Sequence, residues 1–158
     1  MTTFNQLTPQ QVAYIAGFLD GDGCVNAQLV TREDYILGFQ IRVTVTFYQK
    51  TKRHWFLVWL QKKLNCGKIR KRPDGMSELT LVGVQTVQPF LQKIVQYLLV
   101  KRKQASLVLY ICHNLSKKQS PEDFVRLCEK VDLIETLNDS KKRSIKAKDV
   151  KKHLGVDN

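Results

Sequence analysis

Between Ile36 and Tyr48 the chain alternates with a period of two: Phe39, Ile41, Val43, Val45 and Phe47 are apolar, while Gln40, Arg42, Thr44 and Thr46 between them are polar. Successive side chains of a strand point to opposite faces, so this stretch predicts a long β-strand with one face buried and one in water. From Cys24 to Val30 the pattern repeats, with Val25, Ala27 and Leu29 against Asn26 and Gln28, and the polar turn at residues 31–35 joins the two strands as an antiparallel hairpin. A second hairpin is expected around Pro73-Asp74-Gly75. Its first strand puts Lys68, Arg70 and Arg72 on one face, and its second puts Glu78 and Thr80 opposite Leu79 and Leu81.

Helical signals surround these strands. Thr8-Pro9-Gln10-Gln11 places a hydroxyl at the N-cap, proline at the first helical position and glutamine at the third. A helix from about Pro9 to about Gly21 follows. Its apolar residues Val12, Ile15, Ala16, Phe18 and Leu19 cover more than one face, which predicts a helix covered on more than one side. Ala13, Gly17 and Gly21 recur at every fourth position and form a ridge without large side chains, on which a second helix can approach closely. Mid-helix glycine costs about 1 kcal/mol relative to alanine, so Gly17 needs a packing reason, either inside the chain or in a second copy. Thr51 to Asn65, with Trp55, Phe56, Val58, Trp59 and Leu64, predicts a second helix ended by Cys66-Gly67. Three more are expected over about Val87–Leu99, Lys103–Leu115 and Pro121–Leu137, the last with Ser120 as cap and Glu122 and Asp123 in its first turn. The order is αββαββααα, an α+β chain. At 158 residues it holds one domain, 1–138, followed by a basic segment, 139–158. Lys141 to His153 carries seven Lys or Arg against Asp149 alone; such a segment is either a solvated tail or lies along phosphates.

Charge bears on the partner. Lys and Arg number 26 against 14 Asp and Glu, a net +12, which favours nucleic acid over the weaker alternative of an anionic membrane. No apolar run approaches a membrane span, and the start lacks the basic end and apolar centre of a secretory signal. Cys24, Cys66, Cys112 and Cys128 form no CxxC pair and have no histidine at ligand spacing, so reduced thiols in the compartment of synthesis are expected rather than a zinc site or disulfides. The wet sheet face collects Asn26, Gln28, Gln40, Arg42, Thr44, Thr46, Lys68, Arg70, Arg72, Glu78 and Thr80, residue types that read base edges. A solvated sheet face would be similarly polar but more balanced in charge. Twelve residues of strand from Ile36 span ~40 Å and could follow about ten base pairs of major groove.

Asp20 and Asp22 fall at the carboxyl end of the first helix, where the macrodipole disfavours anions; a hard cation such as Mg²⁺, held by a carboxylate and a terminal backbone carbonyl, would offset that. A turn cap or a pair with arginine is the plainer explanation of an isolated DxD. The run Ala16-Gly17-Phe18-Leu19-Asp20-Gly21-Asp22-Gly23, preceded by Tyr14-Ile15, closely resembles the signature helix of the LAGLIDADG homing endonucleases, in their single-motif form encoded by group I introns of algal chloroplasts. Gln49 to Leu57, Lys101 to Ala105 and Leu137 to Lys141 resemble further segments of that subgroup, so the similarity runs to about residue 143.

The resemblance implies the αββαββα fold with a saddle-shaped antiparallel sheet and extra C-terminal helices. Asp22 matches the metal-binding catalytic aspartate, the Gly21 carbonyl a backbone ligand, and Asp20 an acid of more structural role. Gln49, Arg53 and Lys101 match the polar residues around the scissile phosphate; Lys103 competes with Lys101 for the lysine position and is otherwise assigned to DNA. Arg32 and Tyr35 in the first hairpin turn, and Ser140, Lys141, Lys142 and Arg143 after the last helix, complete the expected DNA-binding set. One motif per chain implies a homodimer joined through Ala13, Gly17, Phe18 and Gly21, reading a pseudo-palindromic double-stranded site and cutting it across the minor groove to leave 3′ overhangs. Mg²⁺ is the implied cofactor, with Mn²⁺ as a substitute. A maturase that binds intron RNA and a catalytically silent DNA-binding protein stand as alternatives, and a transcription or ribosomal-type RNA-binding protein as a third. An organelle is the expected location, chloroplast ahead of mitochondrion, with a microbial cytoplasm as the alternative.

Overall fold

The computed structural model describes residues 3–139 and 143–157. Helix α1 runs Pro9–Asp22, started by the expected capping box: the Gln11 N–H donates to Thr8 Oγ1 at 3.2 Å and the Thr8 N–H to Gln11 Oε1 at 3.0 Å. The chain passes straight into β1 (Gly23–Thr31), which pairs with β2 (Phe39–Lys50) antiparallel, Gly23 opposite Phe47. A 3₁₀ turn at Thr51–Arg53 leads to α2 (His54–Leu64), which ends on Asn65 in the left-handed conformation. Strands β3 (Lys68–Lys71) and β4 (Met76–Val82) form the second hairpin, and the sheet order is β1-β2-β4-β3, antiparallel throughout. Helices α3 (Val84–Ile94), α4 (Arg102–Asn114), α5 (Pro121–Leu137) and α6 (Ala147–Leu154) complete the chain.

One sheet face and the helices share a single core. Val25, Ala27, Val43, Val45, Phe47, Leu79 and Leu81 are fully buried against Leu19 of α1, Leu57 of α2, Phe90 and Ile94 of α3, and Val131 of α5. Cys112 and Cys128 lie in this core, Cys24 and Cys66 are half-buried, and all four are free thiols. Among the described residues no helix is long and apolar enough to cross a membrane.

Three elements depart from the sequence reading. The strand β2 begins at Phe39, three residues late, because Tyr35 to Gly38 is used to turn the chain: the Gly38 N–H bonds the Tyr35 carbonyl, Gly38 takes φ +80°, and Ile36 is left 92% exposed. α3 starts three residues early, at Val84, after Gly83 turns with φ +93° and accepts the Val87 N–H. It stops at Ile94, and a 3₁₀ turn at Val95–Tyr97 takes up the rest of the expected helix. Part of the basic segment is an amphipathic helix of eight residues rather than a bare tail: α6 buries Ala147 and Val150, and the Asp132 carboxylate of α5 accepts the Ala147 N–H at 3.2 Å.

α1 is covered on one face only. Val12, Ile15, Ala16 and Leu19 are buried, whereas Ala13, Tyr14, Gly17 and Gly21 are exposed. The expected second cover is absent from the chain itself: a Cβ added at Gly17 or Gly21 would meet nothing within 4 Å. No internal helix crossing therefore explains these glycines.

Candidate functional site

The carboxyl end of α1 collects the chemistry. Asp20 is fully engaged: its carboxylate accepts the backbone N–H groups of Leu99 at 2.8 Å, Val100 at 3.3 Å and Lys101 at 3.0 Å. Three donors from a tight turn offset the dipole penalty at this helix end and fix the segment that carries Lys101. Lys101 Nζ in turn donates to the Asp20 carbonyl oxygen at 2.6 Å, so its charge sits on the last turn of α1. That turn contains no other basic residue.

Asp22, two residues on, is exposed, and among the described residues no hydrogen bond or ion pair engages its carboxylate. The β1–β2 register brings Gly23 opposite Phe47, so the end of β2 that carries Gln49 runs beside the end of α1. Gln49 Oε1 accepts from Arg53 Nε at 2.7 Å and from the Lys50 N–H at 3.1 Å, leaving the glutamine amide nitrogen free to donate outward. Beneath this pair lies a support that sequence reasoning missed. Buried Ser77 of β4 bonds Thr51 Oγ1 at 3.1 Å and His54 Nδ1 at 2.9 Å, and the Thr51 N–H donates to the Gly75 carbonyl at 2.8 Å. The turn bearing Arg53 is thereby tied to the sheet.

Positive charge dominates the neighbourhood. Burial pushes the Cys24 thiol up, while Lys101 and Arg143 pull it back. Arg143 reaches Asn26 Oδ1 through one guanidinium nitrogen, and Asn138 Nδ2 donates to the Val25 carbonyl at 2.9 Å and leans toward Asn26 Oδ1. Gln104, nearly buried, donates to the Leu137 carbonyl at 3.2 Å. This cluster anchors the chain after α5 onto β1. Burial lowers the Arg143 pKa against the pull of Glu135 and Asp132, and its Nη1 is buried without an acceptor among the described residues.

The polar sheet face is arranged by its own ion pairs. Glu78, its side chain 16% exposed, holds Arg70 at 2.9 Å and Arg72 at 3.9 Å. Gln28 and Arg42 face each other across β1 and β2, both exposed, and Thr44 lies opposite Asn26. Thr46 is a correction to the expected wet face: it is only 8% exposed, closed in by Thr80 at 3.3 Å. At the hairpin tip Arg32 pairs with both oxygens of Asp34, reaches Gln40 Oε1 at 3.3 Å and lies over the Tyr35 ring at 5.3 Å. Lys68 and Lys103 are exposed. Ser140, Lys141 and Lys142 lie outside the described residues.

The structure thus groups Asp22, Lys101, Gln49 and Arg53 at one end of α1, beside the sheet face and the open Ala13/Gly17/Gly21 ridge with half-buried Phe18 at its edge. The donor set suits a hard cation: a free carboxylate and a carbonyl at a helix end. Among the described residues no three His, Cys, Asp or Glu side chains converge, so one chain offers only part of such a shell.

The LAGLIDADG endonuclease family model matches residues 15–119. The DNA endonuclease I-CvuI of Chlorella vulgaris is 46% identical over 142 residues, covering 90% of this chain and 88% of the relative. The DNA endonuclease I-CreI of Chlamydomonas reinhardtii is 39% identical over 139 residues, covering 87% and 85%. A crystal structure of the homing endonuclease I-CvuI in complex with its target in the presence of Ca superposes with a TM-score of 0.87 at 44% identity, covering 92% of this chain and 93% of that one. An archaeal intron-encoded homing endonuclease complexed with DNA, I-Vdi141I, shares the fold at a TM-score of 0.80 and 16% identity, covering 92% and 95%.

Proposed function

Because the chain belongs to the LAGLIDADG endonuclease family, we propose that it is a site-specific, double-strand DNA endonuclease that initiates intron homing. It works as a homodimer on a long pseudo-palindromic site, cutting across the minor groove to leave 3′ overhangs. The observation that carries this reading is the free Asp22 carboxylate at the end of α1, with Lys101 bound to the same helix turn and the Gln49–Arg53 pair beside it. A binding protein has no use for an unpaired acid facing phosphate.

Asp22 and the Gly21 carbonyl would hold the divalent cation, Mg²⁺ with Mn²⁺ as substitute; the I-CvuI–DNA structures determined with Mg or Ca support divalent metal use. When bound, the cation activates water and offsets charge on the scissile phosphate. The chain's own groups supply position and charge. Gln49, its carbonyl already occupied, donates through its amide to orient the attacking water. Arg53, fixed through Nε, keeps its terminal nitrogens for phosphate oxygens, and Lys101 neutralises charge from the α1 side.

Each sheet takes one half-site. Gln28, Gln40, Arg42, Thr44, Lys68, Arg70, Arg72, Glu78 and Thr80 meet bases, with Arg32 and Tyr35 at the outer end, while Lys103, Arg143 and the basic segment 139–158 meet backbone. The location proposed with this function is the organelle of synthesis, chloroplast ahead of mitochondrion, with a microbial cytoplasm as the alternative.

The test is cleavage of a randomised, partly palindromic duplex library with Mg²⁺, with Ca²⁺ and with chelator, followed by sequencing of the ends. Mg²⁺-dependent ends sharing one long site and a short 3′ overhang are expected. Duplex retained but never cut would make this a silent DNA-binding protein, and binding of intron RNA in place of any duplex would make it a maturase.

A further inference from the structure

The outer end of the β1–β2 hairpin is the least supported part of the sheet, yet it carries side chains that the DNA reading sends to the outer half-site. β4 pairs with β2 from Lys50 only as far as Thr44, so the ends of β1 and β2, from the Gln28–Arg42 pair to the Thr31–Phe39 pair, project past it. Among the described residues no third strand lies beside this ribbon. A two-stranded ribbon is marginally stable alone and keeps its place only where its apolar face is packed. Its tip is tied internally: the Arg32 N–H donates to the Gly38 carbonyl at 2.8 Å, and Arg32 reaches Gln40 Oε1 and lies over the Tyr35 ring. Those bonds fix the shape of the tip and leave open where it stands relative to the rest of the sheet.

The last turn of α6 meets the root of that tip. The rings of His153 and Phe39 pack edge to face, centroids 5.2 Å apart and planes at 90°. His153 Nε2 also lies 3.7 Å from where a Cβ on Gly38 would be, so the imidazole rests against both residues of the corner at which β2 begins. Phe39 belongs to the buried face of the ribbon with Leu29 and Ile41, and Leu37, Leu154 and Val156 pack on the same core. α6 is in turn anchored away from the ribbon. Asp132 of α5 accepts the Ala147 N–H, Glu135 of α5 lies 3.7 Å from Lys146 Nζ, and Val150, one turn before His153, is fully buried. Beyond His153 the Val156 N–H donates back to the Lys151 carbonyl at 3.1 Å and closes the turn that presents the ring.

We infer that His153 is a positioning residue for base recognition: carried by α6 and anchored on α5, its ring braces Gly38 and Phe39 and sets where the hairpin tip stands. From that tip Arg32, Tyr35 and Gln40 reach the outer base pairs. The inference rests on the DNA reading above and gives the basic segment a task besides phosphate contact. His153 acts through Phe39, from the core side of the ribbon. A tip held in one place cannot shift to suit a wrong base, whereas a loose tip can, and it must also be ordered each time it binds. The brace therefore contributes to discrimination at the outer positions more than to affinity for duplex in general.

His153→Ala removes the brace, and His153→Phe keeps an edge-to-face partner for Phe39 without a charge or a polar atom. His153 is exposed while Ala147 and Val150 are the residues that α6 buries, so both variants leave the docking of α6 on α5 intact. The first measurement is hydrogen exchange of the free full-length protein, read by mass spectrometry. Peptides spanning residues 31–39 are expected to exchange roughly tenfold faster in His153→Ala and near the wild-type rate in His153→Phe, with β3 and β4 unchanged. Unchanged exchange over 31–39 in His153→Ala overturns the brace, whether or not the protein reads DNA. The second is binding to a duplex library varied at single positions. His153→Ala is expected to relax preference at the outermost positions of each half-site roughly three- to tenfold while positions facing Arg70 and Arg72 keep theirs, and His153→Phe to restore it. An equal loss at all positions, with a shallower salt slope and no rescue by phenylalanine, makes His153 a phosphate contact and overturns the inference. A wild type without sequence preference on any duplex overturns the DNA reading instead, and the exchange rates then decide the brace by themselves.

Discussion

Two aspartates at the end of α1 face the same unfavourable dipole and are treated in opposite ways. Asp20 gathers three backbone donors, while Asp22 gathers none among the described residues. Asp22→Asn is expected to abolish cleavage and to keep or tighten duplex binding, because one negative charge beside phosphate is removed; cleavage assays beside fluorescence anisotropy measure both, and native-rate cutting would take Asp22 out of the site. Asp20→Ala strands three N–H groups and frees Lys101. It should lower stability by about 1–3 kcal/mol in urea titration and slow single-turnover cleavage more than it weakens binding. A cleavage rate unchanged by that substitution would mean that Lys101 needs no clamp. Asp22 was legible in the sequence because its meaning is local, a carboxylate at a helix end inside a recognisable run. The partners of Asp20 were not, since they lie about eighty residues away. Nor was the Ser77–His54–Thr51 support, three ordinary polar residues that only strand pairing brings together.

Among the elements, α1 reports most clearly on what lies outside the chain. A Cβ at Gly17 meets nothing within 4 Å and the position is exposed, so Gly17→Leu should leave the fold intact, and improved helix propensity should even stabilise the isolated chain by about 0.5–1 kcal/mol. In sedimentation velocity the variant should run as a monomer and in assay it should fail to cut; a dimer that cuts normally would exclude the ridge as the contact. Helices α4 and α5 make a second prediction. Burial raises the Cys112 thiol to about 11 and the Cys128 thiol to about 12, so both stay protonated and shielded at neutral pH. Alkylation of the folded protein, read by mass spectrometry, should label half-buried Cys24 and Cys66 first; rapid labelling of Cys128 would contradict the packing of α5. Periodicity and caps identified α1, α5 and the hairpins because those signals are local. The start of β2 was misplaced since Ile36 fits the alternation yet is spent at the turn, and α6 was missed because Lys-rich composition masks the two core residues, Ala147 and Val150, that dock it on α5.

At the scale of the whole molecule the excess of positive charge and the pattern of the sheet face make separable contributions to recognition. A net +12 per chain gives affinity for any duplex, and that part falls steeply with salt as counterions are released. Sequence preference must come from side chains that are both exposed and held in place. Arg70 meets both conditions: its side chain is 69% exposed, and nearly buried Glu78 grips one edge of the guanidinium, leaving the rest directed by the pair rather than by solvent. Arg70→Ala is therefore expected to relax preference at one position in each half-site by roughly 1–3 kcal/mol, measured by binding to a library varied at single positions, with the salt slope nearly unchanged. If affinity instead drops equally for all sequences and the slope becomes shallower by about one, Arg70 holds a phosphate, and the reading of bases on this face passes to Arg42, Gln28 and their neighbours on β1 and β2.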